Sequence, residues 1–251
     1  MPKSYTIATS FLPYTPSAQS EASAEYPAAN VALVTRPRML WRSTAPPHYI
    51  EADLGSAQSP TGFFVHNTNV SSWVVALSDT PGTGGDVLGV FITGMDPRTG
   101  RARGCFRLTP PTPRRYLRLT PFTFFAGAYG ELGALAVPVL VDLDDYVGAE
   151  LQWEPRHDIL THRYPGSGVQ HEIRGPRYLV TRLAHDQGWV QAGSIQSQLL
   201  TVVGAKPGPI LVWEAWRNTA LHAYLCHASE PVAFREGNAL FSAEIALEEY
   251  I

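Results

Sequence analysis

Turn formers interrupt this chain more often than any long helix tolerates. It holds 21 glycines and 21 prolines in 251 residues, spread among short apolar runs. Proline removes a backbone donor and glycine weakens a helix interior. Short apolar runs between such turns are the pattern of β-sandwiches and barrels. Up to about residue 126 the chain reads as strand and turn throughout. Strands are expected at 49–55, closed by Gly55, and at 63–66, 73–78, 87–93, 104–108 and 115–119. Residues 81–86, with Gly82, Gly84 and Gly85, read as a turn free to take positive φ.

Residues 1–20 read as an extended lead-in, in which Tyr5 and Ile7 alternate with polar neighbours and allow one strand. The segment 127–149 reads as transitional: Gly127, Gly130, Gly133 and Pro138 precede the acidic Asp142, Asp144 and Asp145. The expected division is therefore 1–20, a β domain at 21–145, and a second β domain at 146–251. In the second, strands are expected at 150–153, 158–163, 168–174, 176–184, 209–216, 221–227, 231–235 and 239–247. Residues 191–203 are the best helix candidate, with Ile195, Leu199, Leu200 and Val203 on one face before Gly204 and Pro207.

Charged residues make up 16% of the chain and hydrophobic ones 45%, a balance that argues against disorder. With a formal net charge of −3 no strong attraction to a polyanion is expected, and a nucleic-acid binder would normally show a basic face. The basic residues are nearly all arginine, with only Lys3 and Lys206 as exceptions. Arginine suits ordered contacts, and a GC-rich genome gives the same bias. Cys105 and Cys226 each sit in an apolar run and read as buried free thiols. The N-terminus lacks the apolar core of a signal peptide, and no run approaches the length of a membrane span.

No local pattern carries catalysis. Ser167 lies in Pro165-Gly166-Ser167-Gly168, which is not the strand–turn–helix of a nucleophile elbow. Residues 82–85 lack the Gly-Lys-Ser/Thr of a phosphate loop. His157, His162, His171, His222 and His227 lack zinc-ligand spacing, and the Asp142 group lacks the glycine and spaced ligands of a calcium loop. No metal, cofactor or catalytic residue is expected. Trp41 and Trp73 read as core rather than as platforms for a sugar.

Three stretches carry a family resemblance. Tyr26-Pro27-Ala28-Ala29-Asn30 with Trp41-Arg42-Ser43, then Ile50-Glu51-Ala52-Asp53-Leu54-Gly55, then Arg114-Arg115-Tyr116-Leu117-Arg118-Leu119 resemble, in order, the discoidin-like jelly roll of the coagulation factor 5/8 type C, galactose-binding-like kind. The family's usual disulfide joining its ends is absent. The resemblance implies an all-β jelly-roll sandwich, with either a carbohydrate-binding role or, in a tail, service only as outward decoration or packing. Arg42, His48, Asn67 and Asn69, as polar residues on loops of a rigid scaffold, are the expected ligand contacts.

The whole chain also resembles phage tail proteins of the distal-tail or minor-tail type. In the second half this rests on 148–156, on Gly166 to Gly168, on Arg174-Gly175-Pro176-Arg177 and on the acidic close 247–250. That resemblance implies a tail-tube-like β-sandwich with one packed helix, assembling as a homo-oligomeric ring in the virion. Its partners would be tube, hub or tape-measure proteins and a host-surface glycan, with no nucleic acid and no membrane insertion. Arg156, His157, Arg163, Tyr164 and Arg174 lie where a hairpin or belt would meet a neighbouring subunit; a plain surface hairpin is the alternative. The leading expectation is this structural tail role. The second is a free carbohydrate-binding adhesin or enzyme accessory. A hydrolase on a sandwich scaffold is a third, with nothing local to support it.

Overall fold

The computed structural model describes residues 5–44, 48–110, 112–127, 129–143, 154–164, 168–188, 208–214, 217, 220–228, 233–236 and 240–250, with backbone alone at 5, 143, 155–164, 168–188, 233–236 and 240–245. The protein is mainly β, and every pairing between described strands is antiparallel. It separates into two compact units, one of residues 1–147 with 208–225 and one of 148–207 with 226–251.

The first unit is built on two five-stranded sheets. One runs β2 (Thr15–Ala18), β4 (Ile50–Gln58), β10 (Arg114–Phe124), β6 (Val70–Ser78), β7 (Asp86–Ile92). The other runs β3 (Trp41–Arg42), β11 (Glu131–Ala136), β5 (Gly62–Thr68), β9 (Arg101–Arg107), β8 (Gly94–Asp96). One cluster of buried side chains draws on both. Ile50, Trp73, Leu77, Leu117 and Leu119 come from the first sheet, and Trp41, Phe63, Val65, Leu132 and Leu135 from the second. Two sheets sharing one apolar layer are a β-sandwich. The sequence expectation of core tryptophans holds, since Trp41 and Trp73 are both fully buried. Cys105 and Cys226 are buried free thiols, as expected.

The motifs that resemble the discoidin-like pattern meet across the ladder. Tyr116, Leu117, Arg118 and Leu119 pair in register with Asp53, Ala52, Glu51 and Ile50. Alternation sends Leu117, Leu119, Ile50 and Ala52 into the core. It sends Arg118 and Glu51 to the other face, where they form an ion pair at 3.0 Å with the Tyr49 ring 4.1 Å over the guanidinium. The expected turn at 82–85 is present and folds back on this pair, so that Gly82 N–H donates to the Glu51 carboxylate. The opening motif forms a 3-10 turn, Ala28–Ala32. Its Asn30 side chain donates to Leu40 O, and the Trp41 indole N–H donates to Ser20 O.

Several expectations are corrected. The strand at 49–55 does not close at Gly55: β4 continues to Gln58, and Gly55 takes φ +76° where the register with β10 shifts. The segment 127–149 is not merely transitional, because β11 is an inner strand buried along its whole length. Gly133 makes that strand possible, since a Cβ there would overlap the Pro37 carbonyl. The lead-in forms two strands. β2 joins β4, while β1 (Tyr5–Ala8) pairs with β12 (Val141–Leu143) and β15 (Ile210–Trp213). Asp142 sits on β12 and accepts from Thr6 Oγ1, with the Arg107 guanidinium as its ion partner; Asp144 and Asp145 lie outside the described residues.

In the second unit β13 (Glu154–Tyr164) pairs with β14 (Gly168–Gly188), a single strand that runs through Gly175 and Pro176 rather than two. β18 (Leu240–Glu249) pairs with β14 on one edge and with β17 (Ala233–Glu236) and residues 226–228 on the other. The helix expected at 191–203, the strand expected at 150–153 and Ser167 lie outside the described residues.

Gly133→Ala is expected to destabilise the first unit by at least ~2 kcal/mol, because β11 cannot retreat from Pro37 without unpairing β5. Urea denaturation followed by tryptophan fluorescence measures this; an unchanged midpoint contradicts the close approach.

Candidate functional site

Strand register decides what one end of the sandwich presents. In antiparallel sheets β11 starts where β3 and β5 end and where β9 begins. This places Arg42 directly opposite Glu131. The Arg42 Nη2 lies 2.6 Å from Glu131 Oε1, and Nε donates to the same oxygen at 2.8 Å. Arg101, at the start of β9, donates from Nη1 to the other carboxylate oxygen at 2.7 Å. Glu131 is 7% exposed, Arg42 32% and Arg101 26%. A nearly buried carboxylate thus aims two guanidiniums at the surface. Burial opposes the charge on Arg42, but the hydrogen bond and charge of Glu131 outweigh it and raise the pKa.

The faces of the Arg42 guanidinium are also occupied. It lies 4.3 Å from the centroid of the Tyr26 ring and 5.1 Å from that of Tyr129. A cation between aromatic faces is attracted by their quadrupoles and loses rotamer freedom. Tyr129 lies between β10 and β11, as does Phe125. Phe125 is 43% exposed and Tyr129 39%, and Phe122 on β10 is 63% exposed.

Two buried side chains, Asn69 and Ser43, hold this loop. Asn69 Nδ2 donates to Ala126 O and Tyr129 O, and Asn69 Oδ1 accepts from Glu131 N–H. Ser43 accepts from Gly130 N–H through its hydroxyl and donates its own N–H to Gly130 O. Asn67 is the bulged residue of β5 and takes φ +57°. Asparagine tolerates this left-handed region better than other L-residues. Its side chain accepts from Arg101 Nε at 2.9 Å and donates to Pro37 O at 2.6 Å.

The four residues expected as ligand contacts lie at this one end, His48 and Asn69 in connections as expected and the other two on strands. Arg42 is on β3 and Asn67 on β5. Asn69 is buried between β5 and β6, with both side-chain atoms engaged by the chain. His48 is buried just ahead of β4, edge-on to Phe124 at 6.1 Å. Sequence reading missed Glu131, Arg101, Tyr26, Phe125 and Tyr129 as members of the site. Tyr26 stood in a quoted motif, but nothing local marked the others. Arg156, His157, Arg163 and Tyr164 are on β13 and Arg174 on β14, and their side chains lie outside the described residues.

The same end carries a second ion cluster. Asp96 takes Arg98 through backbone N–H and guanidinium, and Arg103 Nη1 lies 3.5 Å away. Arg103 also donates to Leu221 O and stacks on Tyr224. Next to Leu221, His222 lies 3.9 Å from Glu214, and burial lowers the His222 pKa, with the charges of Arg217 and Arg103 adding to the shift. Away from this end, a cavity of about 240 Å³ is lined by apolar residues including Phe11, Leu12, Val34 and Val137. Among the described residues no group of His, Cys, Asp and Glu could hold a metal ion.

No protein-family model and no curated protein matches the sequence. Many solved structures are similar over about half of this chain, among them the following three. Chitosan-binding module 1 of a chitosanase/glucanase from Paenibacillus sp. IK-5, in a point-mutant form, is 22% identical, with 52% of this chain and 97% of that chain covered and a TM-score of 0.42. A family 32 carbohydrate-binding module of Clostridium perfringens, CpGH89CBM32-5, solved with GalNAc-β-1,3-galactose, is 16% identical, covering 52% and 100%, with a TM-score of 0.43. The family 32 module of C. perfringens NanJ, solved with galactose, is 15% identical, covering 52% and 98%, with a TM-score of 0.40.

Burial alone would raise the Asp96 pKa, but hydrogen bonding to Arg98 and the charges of Arg103 and Arg98 hold it below its ordinary value. A depressed carboxylate stabilises the fold above its unfolded pKa, and that contribution is lost as pH falls through the folded pKa. The stability gap between wild type and Asp96→Asn should therefore be full near pH ~7 and shrink toward pH ~3. Thermal melts across that range read it directly; a gap independent of pH contradicts the ion cluster.

Proposed function

We propose that the first unit is a saccharide-binding module without catalytic chemistry, and that its ligand seats on the end bearing Tyr26, Arg42, Tyr129 and Phe125. The observation that carries this is the Tyr26–Arg42–Tyr129 stack, anchored through Glu131 to strand β11. Exposed aromatic rings offer apolar faces to the C–H surface of a sugar. The neighbouring guanidiniums and the Asn67 amide offer planar donors and acceptors for its hydroxyls. Because the side chains are held by strand register and by Asn69, little conformational entropy is lost on binding.

Isothermal titration against a panel of oligosaccharides tests the reading. At least one sugar should bind, and Tyr129→Ala should weaken it by about tenfold or more without changing the melting temperature. A panel with no binder, or an unaffected variant, overturns it.

The second unit supports a further reading. Only residues from Val180 onward of β14 pair with β18. The stretch 168–179 pairs with β13 alone among the described strands. A two-stranded ribbon is marginally stable in water by itself, so we infer that it is covered by another subunit. This accords with a ring-forming component of a phage tail that acts in the virion beside tube, hub or tape-measure proteins, with Arg156, His157, Arg163, Tyr164 and Arg174 on the ribbon. Light scattering after size exclusion should give a discrete oligomer that is lost when 154–180 is replaced by a short turn. A monomer at all concentrations overturns self-assembly.

A further inference from the structure

The charge of the site end runs against that of the chain. The segments 19–49, 67–71, 92–103 and 123–131 contain Arg36, Arg38, Arg42, Arg98, Arg101 and Arg103 against Glu21, Glu25, Asp96 and Glu131, a balance of +2. The whole chain is −3, so the remainder is −5. Three of the four carboxylates are committed inside the protein. Glu131 is shared by Arg42 and Arg101, Asp96 by Arg98 and Arg103, and Glu21 Oε1 accepts from Ala28 N–H. With two guanidiniums on one carboxylate, the Arg42–Glu131–Arg101 network carries a net positive charge.

Arg36 and Arg38 account for the balance of +2, since without them four arginines meet four carboxylates. Both are exposed, and neither forms an ion pair among the described residues. They flank Pro37, which is buried and whose carbonyl accepts from Asn67 in the middle of the site. The backbone between them thus joins the Arg42–Glu131–Arg101 network through Asn67, which also accepts from Arg101 Nε, and both guanidiniums are open to solvent. A guanidinium pairs with the planar oxygens of an anion bidentately, more strongly than with a neutral hydroxyl.

Resting on the saccharide-binding reading, we propose that the ligand is an acidic saccharide whose carboxylate or sulfate is taken by Arg36 and Arg38 beside the aromatic seat. The aromatic residues contact the ring, and the two arginines select for the charge. Recognition is sensitive to ionic strength, because the arginines are exposed and their attraction is screened within about 10 Å at ordinary salt.

The test is affinity electrophoresis of the full chain in gels containing polygalacturonate, dextran sulfate or neutral galactan, with isothermal titration of the polymers that retard it. An acidic polymer should bind about tenfold or more tightly than the neutral one. Added salt should erode that preference, and the double substitution Arg36→Ala and Arg38→Ala should abolish it. Binding to polygalacturonate with little to dextran sulfate assigns the anion as carboxylate, and the reverse assigns it as sulfate. Equal binding to neutral and acidic polymers, or a preference that survives the double substitution, overturns this inference and leaves the saccharide reading standing. Failure to bind any saccharide, with the melting temperature intact, overturns both.

Discussion

The Glu131 carboxylate is the interaction on which the site end depends. It is nearly buried, so its charge is tolerable only if its oxygens are satisfied by charged donors. Arg42 and Arg101 provide these from strands on either side of β11 and β5. Its backbone N–H is taken by Asn69 and its carbonyl by Thr68 Oγ1. One residue thereby fixes the connection between β10 and β11, the bulge at Asn67 and the aromatic stack around Arg42. A neutral residue there would leave two guanidiniums facing one another with no anion between them.

The sandwich was legible because its most informative residues are local in strand register. Glu51 and Arg118 are 67 positions apart, yet each lies in a short alternating run whose partner run must pair with something. β11 was not legible, because the signal of a fully buried strand is an apolar run, and this one is broken by Gly133. Gly133 reads as a breaker in one dimension and is a close approach in three. The joining of β1 to β15 was equally silent, since two short strands more than 200 residues apart carry no mark of their pairing.

The site was legible in part for a similar reason. Arg42, His48, Asn67 and Asn69 read as polar residues on loops of a rigid scaffold, and all four fall at one end of the sandwich. Their roles differ from one another in ways only the fold reveals. Asn69 spends every side-chain atom on the backbone, whereas Arg42 reaches the surface. Glu131 and Tyr129 fell in what read as a transitional segment, and Phe125 lay beyond the strand expected at 115–119. Exposure of an aromatic is a property of the loop that carries it.

The Asn69 clamp separates what the site must keep from what it can change. Both feet of the loop, at Ala126 and Tyr129, hang on one amide that belongs to the neighbouring strand connection. The amide grips backbone carbonyls, so the identity of the side chains borne there is no part of the grip. Substitutions of the exposed rings at Phe125 and Tyr129 therefore alter the reading surface without loosening the sheets beneath it. Sequence change at this end therefore has its freedom in those two ring positions, while the anchor below stays under the separate constraint of folding.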